Sequence, residues 1–314
     1  MKFCKFILIA CSFFALASCS KSEVEKERDL YFDVDGGIFG GGHGYYKNYY
    51  WTSVSVGTTL PITGSMFVDG NDVYYPTIGG YLKNGDLVQL PEAEVISSVF
   101  AKNGEVYAAG SREPYGASYW KNGQLVKLEP DSSDYSANAL KIIVSNDHNI
   151  YVGGEMRKAA KNRVVYWKNN IMYQVEEESS FEDMAILNNY VHIVGELRNN
   201  FSEGAYWING IKMSLMGFDG KKPQSLTSIS VWGNDVYITG RYADALYWKN
   251  GVPESKINKG IVPKGVVVNN RKVLVAANMV LPQSSGPQYR MMLWTDGVPD
   301  TFGSGEFYGI YLGK

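Results

Sequence analysis

The chain has 314 residues, of which 30 are basic and 32 acidic, for a net charge of −2 and a charged fraction of 20%. So even a balance leaves no electrostatic footprint for nucleic acid. All three cysteines, Cys4, Cys11 and Cys19, fall at the extreme N-terminus, so the rest of the chain has no disulfide, no thiolate catalyst and no cysteine zinc site.

Lys2 and Lys5 precede an uncharged apolar run from Phe6 to Leu16, followed by Leu16-Ala17-Ser18-Cys19. A basic start, a short apolar stretch and small residues before a cysteine form a secretory signal ending in a lipobox, which predicts a signal peptide over residues 1–18 and a diacylated, palmitate-bearing Cys19 as the mature first residue. The apolar run is too short to span a bilayer comfortably, and no later segment is long and apolar enough to do so. Lipid on Cys19 is then the membrane contact, and several acyl chains on one residue hold firmly. Without Lys2 and Lys5 the count is 28 basic to 32 acidic residues, about −4. Residues 20–28, Ser-Lys-Ser-Glu-Val-Glu-Lys-Glu-Arg, are polar and charged and read as a solvated tether. This stretch resembles the acidic export signals that follow the lipidated cysteine in surface lipoproteins of gut-dwelling Gram-negative bacteria, which implies an outer-membrane location, facing the periplasm or the cell surface.

The body, residues 29–314, is built on one repeated phrase. It reads Tyr119-Trp120-Lys-Asn-Gly, Tyr166-Trp167-Lys-Asn-Asn, Tyr206-Trp207-Ile-Asn-Gly and Tyr247-Trp248-Lys-Asn-Gly, with looser copies at Tyr81-Leu82 and Leu293-Trp294. From Leu82 to Trp294 the steps are 38, 47, 40, 41 and 46 residues, close to the length of a propeller blade. Upstream of each lies a Val-Tyr-x-x-Gly phrase, such as Val106-Tyr107 to Gly110, and before that another apolar strand and a tight turn. One repeat is therefore four strands, a to d. Asn-Gly, Asp-Gly and Asn-Asn in the a–b and c–d turns tolerate the positive φ that two-residue hairpins require. Val, Ile, Tyr and Trp alternate with Lys and Glu as half-buried strands do. The recurrent Trp is expected to pack blade against blade.

The ends complete the pattern. Asp29-Leu30-Tyr31-Phe32 matches strand b, Tyr50-Trp51 is aligned with the Tyr-Trp of strand c, and Thr59-Leu60-Pro61-Ile62 with strand d, while Phe307 to Leu312 supplies the missing strand a. The fold class is thus all-β, a β-propeller of seven blades closed by N- and C-terminal strands, with six blades and a ragged extension as the alternative. The Trp-Lys-Asn-Gly phrase resembles the propeller repeats of bacterial surface lipoproteins and extracellular proteins. That resemblance implies a fold rather than an activity; the repeat lacks the Gly-His and Trp-Asp pairs of WD40 repeats and the double glycine of kelch.

Candidate chemistry lies on the b–c loops, which vary in length while the turns on the opposite face stay short. Two loops, around Gly36 to Tyr45 and Asn278 to Tyr289, are the longest. Charged residues recur just after strand b: Arg112 with Glu113, Glu155 with Arg157, Glu196 with Arg198, and Arg241 with Asp244. Placed by symmetry at the channel mouth, Arg112, Arg157, Arg198 and Arg241 could grip a carboxylate or phosphate. Neighbouring Glu and Arg pairing on a solvated rim is the plainer reading. Gly36 to Gly44 lacks the Lys-Ser/Thr of a phosphate loop, and His43, His148 and His192 have no metal-ligand spacing. No metal, cofactor or nucleic acid is expected. The function read from these features is non-enzymatic binding of a protein or glycan on the loop face by a lipid-anchored envelope protein. A carbohydrate-active hydrolase or lyase using channel-mouth carboxylates such as Glu155 and Glu196 is one alternative, and a structural subunit of an outer-membrane complex is another.

Overall fold

The computed structural model describes residues 28–35, 43–54, 61–112, 116–129, 136–158, 161–198, 203–241, 245–257, 260–281 and 288–313. The predicted signal, Cys19, all of the tether but Arg28, residues 36–42 and 282–287 of the two long b–c loops, and Thr59 and Leu60 of the predicted strand d lie outside the described residues.

The asparagine of the repeated phrase explains why each hairpin closes where it does. Asn48, Asn84, Asn122, Asn169, Asn209 and Asn250, with Asp296 in the last repeat, sit at φ between 47° and 52° after strand c. Asn and Asp tolerate this left-handed conformation better than other side-chain-bearing residues. Each also accepts, through its side-chain oxygen, the N–H of the first or second residue of strand b, as Asn122 does from Val106 at 2.8 Å and Asn250 from Val236 at 2.9 Å. The backbone N–H of the same Asn donates back to that residue's carbonyl. One side chain therefore both turns strand c into d and fixes the start of strand b beside it.

The hairpins assemble into seven four-stranded antiparallel sheets, each with strands in the order a, b, c, d. Six are sequential in the chain. In the remaining one, Glu306–Leu312 pairs with Leu30–Asp35, which pairs with His43–Lys47 and then Tyr50–Ser53. The N-terminal three strands and the C-terminal one make a single blade, so the ring has seven blades and is closed by its own ends. We number this blade 1 and the others 2 to 7 in chain order.

Blade 1 is threaded differently from the sequence alignment. Its strand c is His43–Lys47 and its strand d is Tyr50–Ser53, so Tyr45-Tyr46-Lys47-Asn48 is the counterpart of Tyr-Trp-Lys-Asn. Tyr50-Trp51 belongs to strand d and Ile62 to the approach to blade 2, where it makes an isolated bridge to Thr77. The cause is local: Tyr46 takes the buried Trp position, 4% exposed, and the Asn48 side chain accepts the Leu30 N–H at 2.8 Å, which sets the turn. Trp51 lies outside that slot, half-buried against Tyr46 with ring centres 5.0 Å apart.

The core is divided among the blade interfaces. The buried residues fall into seven apolar clusters, and each straddles two neighbouring blades. Trp120, Trp167, Trp207 and Trp248, at most 1% exposed, are the largest side chains in them, as expected of a Trp that packs blade on blade. Three also latch onto the connection entering their own blade: Trp120 Nε1 donates to the Pro91 carbonyl at 2.8 Å, Trp167 Nε1 to that of Glu129 and Trp248 Nε1 to that of Met216 at 2.7 Å.

The glycine of Val-Tyr-x-x-Gly has a steric reason. In blades 3 to 6 a Cβ on Gly110, Gly154, Gly195 or Gly240 would lie 2.0–2.4 Å from a backbone oxygen of strand a in the same blade. Strand a passes this close because it carries a β-bulge there. Residues 97, 140, 182 and 227 are each an extra residue with no partner on strand b. Since a real Cβ cannot approach a carbonyl so closely, Gly154→Ala must push strand a off strand b. The expected cost is at the upper end of the about 1–3 kcal/mol typical of overpacking. Urea unfolding of the variant measures it; a loss below about 0.5 kcal/mol, the range of ordinary surface changes, would contradict the close crossing.

Candidate functional site

Strand a is the innermost strand of every blade, so the seven of them wall a central channel. It holds a cavity of about 380 Å³. Bulges recur at the same place in blades 7 and 1, at Lys264 and Tyr308. Six blades thus push one extra residue toward the axis, and the six residues are Ser97, Leu140, Glu182, Thr227, Lys264 and Tyr308, all lining the cavity. A bulge re-aims a side chain without altering the rest of its strand. Here an identical backbone device presents a hydroxyl, an aliphatic chain, a carboxylate, a second hydroxyl, an ammonium and a phenol. In blade 5 the bulge is the fourth residue of Ser179–Leu187, on the half of the channel nearer the b–c loops.

Much of the channel's charge is used in holding the ring. Asp183 meets Lys141 of blade 4 at 3.0 Å and accepts from Ser228 Oγ at 3.2 Å and Ile229 N at 3.1 Å in blade 6, so one carboxylate ties three inner strands. Lys264 meets Glu306 of blade 1 at 3.0 Å and stands 5.9 Å from the Tyr308 ring centre. Glu182 is different. It is open to the channel's water yet enclosed by the inner strands, and no hydrogen bond or ion pair to another side chain uses its carboxylate among the described residues. Burial, followed by the negative charges of Glu196, Glu155 and Asp183, pushes its carboxyl up to about 7 against the opposing pull of Arg198.

The sequence-predicted residues separate into three groups. Glu155 and Glu196 do approach the channel, since both act electrostatically on Glu182. Glu155 is half-buried and its Oε1 accepts the Phe181 N–H of blade 5 at 2.8 Å, a bond that joins blades 4 and 5. Arg157 and Arg198, both exposed, line a second cleft of about 330 Å³ between the same two blades with Lys161, Asn162 and Glu178. Arg112 and Arg241 do not join them. Arg112 is 5% exposed, its guanidinium lying against Gly116, and Arg241 is exposed on blade 6. The four arginines therefore form no even ring; Arg157 and Arg198 alone of the four line one cleft, at blades 4 and 5. Glu113 and Asp244 lie outside the described residues. His192 takes a strand Tyr position, is 6% exposed, and lies 2.7 Å from Tyr206 through Nδ1; burial pushes it down to about 4.

Glu182 and the other bulge residues escape a reading by repeat symmetry, because their chemistry differs from blade to blade. The available signal was the glycine facing them on strand b.

The raised carboxyl has a measurable consequence. Between its ordinary 4.5 and about 7, the unfolded chain releases this proton while the folded chain keeps it, so Glu182 lowers stability as pH rises through that window. Channel water screens the effect and keeps it modest. Melting temperatures of Glu182→Gln and the wild type should converge near pH 4.5 and separate toward pH 8, with the variant higher. His192 works in the opposite direction between 6.5 and about 4, but it is common to both proteins and cancels in the difference. A constant difference across this range would contradict the placement of Glu182.

Among solved structures the chain is similar to the WD40 domain of Neurospora crassa Pan2, at 10% identity over 89% of each chain with a TM-score of 0.51. It also matches the β-propeller domain of Myceliophteria thermophila Cps50 (Swd1), at 8% identity over 79% of this chain and 88% of that one, TM-score 0.47. A third match is a protein of unknown function from Bacteroides thetaiotaomicron VPI-5482, at 10% identity over 88% and 78%, TM-score 0.35. The likeness to the Pan2 domain is one of fold alone. No family model matches the chain, and no curated protein matches it.

Proposed function

We propose that this chain is a lipid-anchored envelope protein that binds a polar ligand, a glycan or a peptide segment, without transforming it, at the b–c mouth of its central channel. The observation that carries this reading is the bulge ring. A backbone feature repeated in six blades, with a different side chain in each, is how a rigid scaffold builds a specific site. Glu182, without a side-chain partner among the described residues, and Lys264 and Tyr308 across the channel offer an acceptor, a donor and an aromatic face. The lipobox at Cys19 supports the anchoring, and the exposed Arg157 and Arg198 extend the polar surface at blades 4 and 5.

Glycan and peptide arrays probed with the purified protein test the binding. Glu182→Gln and Lys264→Met should each weaken any bound species by roughly tenfold or more, the worth of one charge-assisted hydrogen bond. Ligands that bind all three proteins alike would refute a channel site. Metabolic labelling with a palmitate analogue tests the anchor, and Cys19→Ser should abolish it.

A second reading rests on Glu182 itself. A carboxyl held at about 7 is suited to general acid catalysis at neutral pH, so a hydrolase or lyase working in the channel is the rival. Turnover of a glycan by the wild type and none by Glu182→Gln would establish it.

A further inference from the structure

The face opposite the b–c loops carries an apolar arc at one repeated position. The first residue of strand d, just after the c–d turn, is Ile171, Ile211, Val252, Val298 and Tyr50 in the consecutive blades 4, 5, 6, 7 and 1. Each pairs with the last residue of strand c, so the five occupy equivalent places in their blades. They are 58–80% exposed. In blades 2 and 3 the same position holds Asp86 and Gln124. Five equivalent positions around a ring lie in one plane, which suits a flat surface rather than a groove.

The chain enters the ring on this same face. Arg28 is fastened to the a–b turn of blade 7: its N–H donates to Asn269 Oδ1 at 3.1 Å, and Asn269 Nδ2 donates back to the Arg28 carbonyl at 2.8 Å. That places it where blades 7 and 1 meet, on the face that carries Val298 and Tyr50 in those two blades. Eight residues separate Cys19 from Arg28, and the connection at full extension reaches roughly 30 Å, about the width of a small domain. A lipid on Cys19 would hold this face toward the bilayer and leave the b–c mouth directed away from it.

We infer that the arc Ile171, Ile211, Val252, Val298 and Tyr50 rests in the interfacial layer of the membrane to which the chain is tethered, an orientation that rests on the proposed lipidation of Cys19. Aliphatic side chains insert shallowly among the headgroups, and tyrosine favours that depth. Asp86 and Gln124 leave the blade 2 and 3 sector standing off.

The test uses the full precursor, processed in a Gram-negative host, purified and reconstituted in phosphatidylcholine/phosphatidylglycerol vesicles containing doxyl-labelled lipid. With Cys19 acylated, a cysteine introduced by Ile211→Cys, Val252→Cys, Gln124→Cys or Lys158→Cys is the only free thiol, and each takes the dye NBD. Emission from 211 and 252 should be blue-shifted and quenched by the labelled lipid roughly threefold more than from 124, in the same register, or 158, at the end of strand b on the opposite face. Equal quenching at all four positions would overturn the docking. A blue shift at 211 without lipid quenching would assign the arc to another protein copy and overturn it as well. Mass spectrometry of the N-terminal peptide separates the premises: a Cys19 without acyl groups overturns the anchor and the orientation with it, whereas an acylated protein with unquenched 211 overturns the docking alone.

Discussion

Deleting residues 306–314 should leave no closed, monomeric ring. The segment Glu306–Leu312 is the innermost strand of blade 1, and it is the one strand that the C-terminus contributes there. Phe307 and Ile310, 0% and 4% exposed, are buried in the cluster shared with blade 7, where Phe307 stacks on Phe32 with ring centres 5.3 Å apart. Burial of the two contributes about 1.5–3 kcal/mol each. Their loss exposes Phe32 and Val34, which are fully buried beneath them. Asn278 of blade 7 loses both of its bonds to the Phe307 backbone, and it is 0% exposed. Tyr311 also goes, and with it the phenol that is buried within electrostatic reach of Asp33. Against a total stability of about 5–15 kcal/mol, these losses remove most of what holds the fold. The bare edge of Leu30–Asp35 would then be free to pair with other chains. Size-exclusion chromatography and thermal melting should show aggregates or no cooperative transition. A monomer with an unchanged melting curve would contradict closure by the two termini.

Trp167→Ala should cost about 3–5 kcal/mol, the usual range for emptying a buried Trp site. The side chain is 0% exposed in the cluster between blades 3 and 4, and its Nε1 holds the Glu129 carbonyl of the connection between them. Truncation opens a cavity and releases that latch together. Trp51→Ala supplies the contrast, because Trp51 lies half-buried on the outer strand of blade 1 and has Tyr46 beneath it. Its loss should be less than half as large. Denaturant unfolding of the two variants separates them. Equal costs would mean that Trp51 fills a blade-interface slot, and would restore the alignment the structure displaces.

The same contrast shows how far the sequence could be read. Seven blades were legible because the Trp-Lys-Asn-Gly phrase records two independent physical needs, a buried ring at the blade interface and an Asn that both adopts positive φ and holds strand b. Where both needs are met by the usual residues, the register was plain. Blade 1 meets them with Tyr46 and Asn48 and follows with Tyr49 in place of Gly, while a real Trp stands five residues after Tyr46 in an exposed strand. Aligning on Trp51 rather than on Lys47-Asn48 places strand c where strand d lies, one strand too far along. The bonding role of Asn48 would have been the safer guide, since the turn depends on it and Trp51 serves no slot.

The site was legible only in part. Charge recurring after strand b drew notice to Glu155 and Glu196, which do bear on Glu182, and to Arg157 and Arg198, which do share a cleft. Symmetry alone could not tell that Arg112 folds back against Gly116. Nor could it find the bulges, because one extra residue per strand leaves the alternation on either side intact and its side chain is free to differ. What constrained the sequence was the partner strand, where the backbone comes so close that glycine is required in four blades. A repeated glycine in the middle of a strand thus marked the place where the opposite strand departs from regularity, and that departure supplies the channel with its chemistry.

A crystal structure of the protein with the tightest binder from the glycan and peptide arrays is the most direct measurement of where this scaffold recognises its ligand. The ligand should lie at the b–c mouth of the channel, within hydrogen-bonding distance of Glu182 and in contact with at least two of Ser97, Thr227, Lys264 and Tyr308. A ligand bound to the outer strands or the turn face, with the channel unoccupied, would contradict the assignment of the bulge ring as the binding site.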